Sequence, residues 1–301
     1  MPSAPHHLAR VLAAGFVLLA GAGLVAQTAA TPTPHHFVWK VTKADKPVAW
    51  LVGSVHVLTK EVFPLPPVFD RAFAESRTLI EEVDLGAAAD PAAALPLAAK
   101  AVFTDGRTLS ALLDDETRAS VEAKAAAAGL PMLLLDRMKP WLAAMTLTVP
   151  ALQKAGFDPQ LGLDRHFYER AVDASRPVRG LETAESQIAV LDGLPIPVQV
   201  DMLKAVLSDV DTQVGAVGAL VGAWRRGDVP ALERLLLDEF KESPEVYQRL
   251  LVERNRAWVP QIAACTSEPA PCLVVVGGAH LVGPDSVVAM LRTAGFSVQQ
   301  Q

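Results

Sequence analysis

The chain is poor in cysteine and lacks the short motifs that announce common reactions. Its only two cysteines are Cys265 and Cys272. They do not form C-x-x-C and have no histidine nearby, which argues against a thiolate metal site. There is no G-x-x-x-x-G-K-[ST] loop, no G-x-G-x-x-G turn and no H-E-x-x-H helix. These absences leave no signature of a P-loop, a Rossmann dinucleotide site or a zincin protease. A G-x-S-x-G elbow for a nucleophilic serine is missing as well. There is no basic run, and the net charge is -6, so nucleic acid is not expected as a partner. Beyond the N-terminus no uncharged stretch reaches spanning length, so no membrane span is expected in the mature chain.

What the chain has is apolar mass. It is 51% hydrophobic and 20% charged, which supports a packed core and argues against disorder. Arg10 precedes an unbroken apolar stretch, Val11 to Ala26, and small and polar residues follow up to Pro34. This is the order of a secretory signal, assigned to residues 1–30, with 31–36 as a linker. Cleavage after Ala26 or Ala30 does not match A-x-A, so an uncleaved anchor is the alternative. The expected location is the periplasm or the outside of the cell. In such an oxidising compartment Cys265 and Cys272 are expected to form a disulfide, stapling the loop ahead of the apolar run Leu273–Val276.

Phe37–Val41 and Ala49–Val52 alternate around Ala44-Asp45-Lys46-Pro47, a β-hairpin with proline in its turn. Val68–Ser76 reads as a helix and Thr78–Leu85 as a strand, completing a βαβ unit. Residues from about 86 to 160 carry Ala and Leu at helical spacing, with Leu109, Leu112 and Leu113 as one example. They read as a helical insertion or cap. Arg176–Glu182 reads as a further strand, and Pro244–Ile262 as one helix. Leu273–Val276 and Phe296–Val298 close the chain as strands. Strands at both ends with helices between predict an α/β fold. Its central, mainly parallel sheet is built from N- and C-terminal strands within one domain, 37–301.

Gly-x-x-His occurs twice, as Gly53-Ser54-Val55-His56 and Gly277-Gly278-Ala279-His280, each capping an apolar strand run. Open α/β sheets place ligands past the carboxyl ends of their strands. If the two strands are neighbours, His56 and His280 share one site. A single buried histidine is more often satisfied by a backbone carbonyl. Glu82 sits near the end of Thr78–Leu85, and alternation sends its neighbour Glu81 to the opposite face. Glu182 ends another strand, although it or Thr183 could simply cap the next helix. Asp164 stands at a helix start, where an acid is commonplace. Arg254 and Asn255 lie on a helix and could orient a carboxylate or a substrate anion. Two histidines with carboxylates suit a divalent ion such as Mn, Co or Zn, which would activate water and polarise a carbonyl.

Taken in order, these markers resemble the TraB/GumN family, which is related to the TIKI metalloproteases. The likeness runs from Phe37-Val38-Trp39-Lys40-Val41 to the C-terminus. It is carried by Leu51–His56, Thr78–Asp84, Lys139-Pro140-Trp141, Gly162-Leu163-Asp164, Gly180–Thr183 with Gln187, Arg254-Asn255 with Trp258, and Val276–Gly283. The resemblance implies an α/β fold with both histidines at one pocket and metal-dependent hydrolysis, in TIKI relatives of peptide bonds. His56, His280 and Glu82 would be the metal ligands, with Glu82 alternatively a base. Glu182, Arg254 and Asn255 would complete the catalytic group. The expected protein is an exported metal-dependent hydrolase acting on a peptide or another small substrate. Its rivals are a metal-independent His/Glu hydrolase and a non-catalytic envelope binding protein, with a structural role in polysaccharide export as a further option.

Overall fold

The hairpin forms from Val38–Lys43 (β1) and Lys46–Ser54 (β2). Its turn is Ala44-Asp45, both residues at positive φ (48° and 62°), a conformation whose twist matches the flanking strands. The expected turn is thus corrected at one point. Pro47 lies inside β2 opposite Thr42, next to a register irregularity at Val41/Thr42. There a missing N–H costs little, because pairing to the next strand begins only at Ala49. The computed structural model describes residues 35–301 apart from 208 and 209. The signal assigned to residues 1–30, and most of the linker, lie outside the described residues.

Thr78–Val83 (β3), Val178–Glu182 (β4), Cys272–Gly277 (β5) and Ser297–Gln300 (β6) complete one sheet of order β4-β3-β5-β2-β1-β6. The four strands from β4 to β2 run parallel, and β1 and β6 form an antiparallel edge. The fold is therefore α/β with a mainly parallel sheet. β5 slots between β2 and β3, and Leu273, Val274, Val275 and Val276 are each at most 1% exposed. A continuous apolar run is what a strand covered on both faces requires. The Cys265–Cys272 disulfide ties the start of β5 to the turn before it.

Three departures from the sequence expectation have a clear local cause or consequence. β3 stops at Val83 because the Asp84 side chain accepts from the N–H groups of Gly86 and Ala87 and caps the helix Leu85–Ala89. Leu112 ends a 3-10 turn, Ser110–Leu112, which Leu109 and Leu113 flank, although Leu109 and Leu113 still enter the core. The helix expected over Pro244–Ile262 is interrupted by a π turn, Gln248–Val252, immediately before the helix Glu253–Ala263. Such turns re-phase the residues that follow them. The helical layer is also assembled from two chain segments. Leu109, Val121, Leu135 and Leu147 of the insertion pack on Leu203 and Val206 of the helix Ile196–Val206. A second cluster around Trp141, Phe240 and Leu251 reaches the half-buried Ala279 of the second histidine motif. Among the described residues no helix is long and apolar enough to cross a membrane.

The register of β2 on β5 separates the two motif glycines. Gly53 pairs with Val276 and Ser54 with Gly277, an offset of one residue. In a pleated sheet that offset turns the two glycines to opposite faces. A Cβ on Gly53 would collide with the Phe37 ring, which is fully buried. We expect Gly53→Ala to cost about 1–3 kcal/mol by overpacking, read as a lower urea midpoint with an unchanged m-value. An unaffected midpoint would mean that Phe37 has room to move.

Candidate functional site

Gly277 is the glycine that faces the site. A Cβ there would lie 3.0 Å from Glu82 Oε1, 3.7 Å from His56 Nε2 and 3.7 Å from His280 Cδ2. The two motif histidines and the strand glutamate therefore enclose one small volume at the carboxyl ends of β2, β3 and β5. His56 follows β2 by two residues, and His280 sits in the 3-10 turn Gly278–Leu281 directly after β5. The absence of a side chain at Gly277 keeps that volume open, and its N–H donates to Glu82 Oε1 at 2.7 Å.

On one side of this volume lies a closed polar network. Arg254 Nη2 donates to Glu82 Oε2 at 2.6 Å and to Glu182 Oε1 at 2.5 Å, and Nε donates to Glu182 Oε2 at 3.1 Å. Arg254 Nη1 donates to the Leu250 carbonyl and meets His280 Nε2 at 3.1 Å. Gln187 bridges the two glutamates, donating to Glu82 Oε2 and Glu182 Oε1. Asn255 spends its amide N–H on the Asp285 carbonyl, which leaves Oδ1 to accept from His280 Nδ1 at 2.6 Å. That fixes the tautomer: His280 carries its proton on Nδ1 and presents a lone pair to Arg254. Trp258 packs against both His280 and the guanidinium. The five N–H groups of Arg254 are all committed to protein partners. In this arrangement Arg254 and Asn255 hold other side chains in place.

The other side is a His–Asp pair. His56 Nδ1 lies 3.2 Å from Asp164 Oδ1, and the His56 side chain is 34% exposed. Ser54 Oγ donates to the same oxygen at 2.9 Å and accepts from the Asp164 N–H at 3.1 Å. Ser54 is buried, so it anchors the aspartate rather than acting as a nucleophile. The backbone bond from Leu163 N–H to the Val55 carbonyl brings the start of the helix Leu163–Asp173 to this point.

The electrostatics divide the site. Burial works against charge on His56, but Asp164 overrides it and raises the pKa to about 9. Asp164 is held below its ordinary value by His56, against burial. Burial and the neighbouring Arg254 push His280 down to about 3, so it is neutral. Burial would raise Glu82, but Arg254, His280, His56 and the Gly277 N–H together bring it to about 2. Burial raises Glu182 despite its contact with Arg254.

The donor types of His56, His280 and Glu82 suit a divalent ion, but their arrangement does not. The lone pair of His280 Nε2 and the Oε2 of Glu82 both face the Arg254 guanidinium. Glu82 Oε1 is taken by Gly277 N–H. Among the described residues, no group of three His, Cys, Asp or Glu side chains is disposed to hold a metal.

Glu81 is the residue that sequence reasoning set aside. It is 2% exposed, and neither carboxylate oxygen has a hydrogen-bond partner. Burial first, then the charges of Asp164, Asp84 and Glu82, raise its pKa to about 9. Two successive acids in a strand must face opposite ways, and this was the one available signal for it. Asp164 was legible as an acid at a helix start and as one marker of the family likeness, but not as the partner of His56.

A family model described as the TraB/PrgY/gumN family matches residues 37–300. The chain belongs to this family. Its match spans every strand of the sheet and all the side chains of the TraB/PrgY/gumN site described above. Two relatives carry the name "Uncharacterized protein YbaP", one from Shigella flexneri and one from Escherichia coli (strain K12). Each is 26% identical over 261 residues, covering 86% of this chain and 94% of the relative. No solved structure matches the chain.

Proposed function

We propose that this TraB/PrgY/gumN chain is an exported hydrolase whose acid–base group is His56. The observation that carries the reading is the His56–Asp164 pair, with a partly exposed imidazole over the volume bounded by Gly277, Glu82 and His280. A charged His56 gives its proton to the departing amine or alkoxide. The C–N or C–O bond breaks only after water has added to the carbonyl carbon. The proton shed by the added water passes to the neutral ring, so the pair returns to its starting state. Asp164 holds the ring in one orientation and favours its charged form. The Glu82–Arg254–Glu182 network fixes the opposite wall. Export is supported by the signal-like N-terminus and by the Cys265–Cys272 disulfide.

A second reading is metal-dependent hydrolysis with His56, His280 and Glu82 as ligands to Mn, Co or Zn. It is favoured by the convergence of these donors around Gly277. The relation to the TIKI metalloproteases belongs to this reading and points to peptide bonds as the substrate. Arg254 engages two of the three donors, so an ion could take them only if the guanidinium moved away.

The test is a screen of peptides and esters with chelator-dialysed protein. We expect turnover to survive dialysis and to fall about 100-fold or more in His56→Ala. Wild-type activity should decline as the pH rises through about 9. In Asp164→Asn that decline should move toward the ordinary histidine value, about 6.5. Activity lost on dialysis and restored by added metal would favour the second reading. A pH profile unchanged in Asp164→Asn would remove His56 as the acid.

A further inference from the structure

We propose that the Arg254 guanidinium stands where a divalent ion would otherwise sit, so that a resident arginine replaces a bound metal in this site. The inference rests on reading the His56–Glu82–His280 cluster as the reaction centre. A divalent ion needs lone pairs from those side chains at about 2.0–2.2 Å. Arg254 Nη1 already faces His280 Nε2 at 3.1 Å, and Nη2 faces Glu82 Oε2 at 2.6 Å. The arginine is itself held on every side. Glu182 takes Nε and Nη2, Leu250 takes Nη1, and the Trp258 ring lies 4.7 Å from the guanidinium carbon. For an ion to enter, Arg254 would have to give up both His280 and Glu82. It would then remain close by as a fixed like charge.

Charge counting agrees. Glu82 and Glu182 present two carboxylates to one guanidinium. Without Arg254 the same wall carries two carboxylates and the neutral Nε2 of His280, a mixed N/O set that suits Mn, Co or Zn. Arg254 is therefore the group that decides between a built-in cation and an acquired one.

The test is calorimetric titration of Mn, Co and Zn, each alone, into the tag-free full chain and into Arg254→Gln. No substrate is present. We expect no saturable binding by wild type in the micromolar range. Arg254→Gln should bind one ion about 100-fold or more tighter. Adding His280→Ala to that variant should abolish the gain. Wild-type binding as tight as that of Arg254→Gln would overturn the proposal, and so would a folded Arg254→Gln that binds nothing. If circular dichroism shows Arg254→Gln unfolded, the double variant Arg254→Gln with Glu182→Gln serves instead. It removes the cation together with one of the carboxylates left without a partner, so it should bind metal more tightly than wild type, and equal binding would overturn the proposal. These isotherms are read without turnover, so their failure leaves hydrolysis by His56 standing, and a failed substrate screen leaves them intact.

Discussion

Arg254→Met should lower the stability of the fold by about 3–5 kcal/mol at neutral pH, the usual cost of breaking a buried ion pair from one side. For a chain of this size that is a fall of about 10 °C in the thermal midpoint. The cause lies in its partners. Glu82 and Glu182 are 12% and 10% exposed at the side chain, and Arg254 is the cation that both touch. A Glu82 pKa lowered from 4.5 to about 2 corresponds to about 3 kcal/mol of stability above pH 4.5, lost as the pH falls toward 2. Removing Arg254 reverses this dependence. The stranded carboxylates must then take up protons to stay buried, so the variant should weaken as the pH rises. Urea midpoints of wild type and variant at pH 4.5 and 7.5 check this. A gap that does not widen between the two pH values would mean that water already screens the pair. Arg254→Met combined with Glu182→Gln should lose less than the two single losses together, because each removes the same interaction.

Much of the scaffold could be read from residue patterns, because the physics involved is local. The run Leu273–Val276 marks a strand buried on both faces, and the apolar start of Thr78–Leu85 marks another, although its end at Val83, where Asp84 caps a helix, was not read from the pattern. The position of β5 between β2 and β3 is a long-range pairing that no local pattern carries. The repeated Gly-x-x-His motif pointed to one site, alternation let only one of Glu81 and Glu82 face it, and the likeness to the TraB/GumN family chose Glu82. It could not show that the motifs are offset by one residue, nor that Gly53 serves packing while Gly277 serves the site. Asp164 read as an acid in a first helical turn and as one marker of the family likeness, with no role attached to it. Only the docking of that turn on Val55 makes it the partner of His56. The commitment of every Arg254 donor depends on the phase of its helix after the π turn at Gln248–Val252, and such a turn leaves no simple periodic trace.

Glu81→Leu should stabilise the protein, which is unusual for a substitution in a central strand. The native side chain lies in β3 between Gly180 of β4 and Val275 of β5, with no partner for either oxygen. Its pKa is raised from 4.5 to about 9 by burial and by neighbouring carboxylates. The folded protein therefore keeps a proton that the unfolded chain releases. For a carboxyl raised in this way, stability is fully present below about pH 4.5 and drains away as the pH climbs toward 9. At pH 7 the cost is about 3 kcal/mol. Below pH 4.5 there remains only the smaller cost of an unpaired buried acid, about 1–3 kcal/mol. Leucine removes both costs and fills a similar volume. The midpoint of Glu81→Leu should exceed that of wild type by several degrees at pH 7, and the margin should grow from pH 5 to pH 8. Parallel pH curves for the two proteins would mean that Glu81 is hydrated or paired in solution, and the cost assigned to its burial would then be wrong.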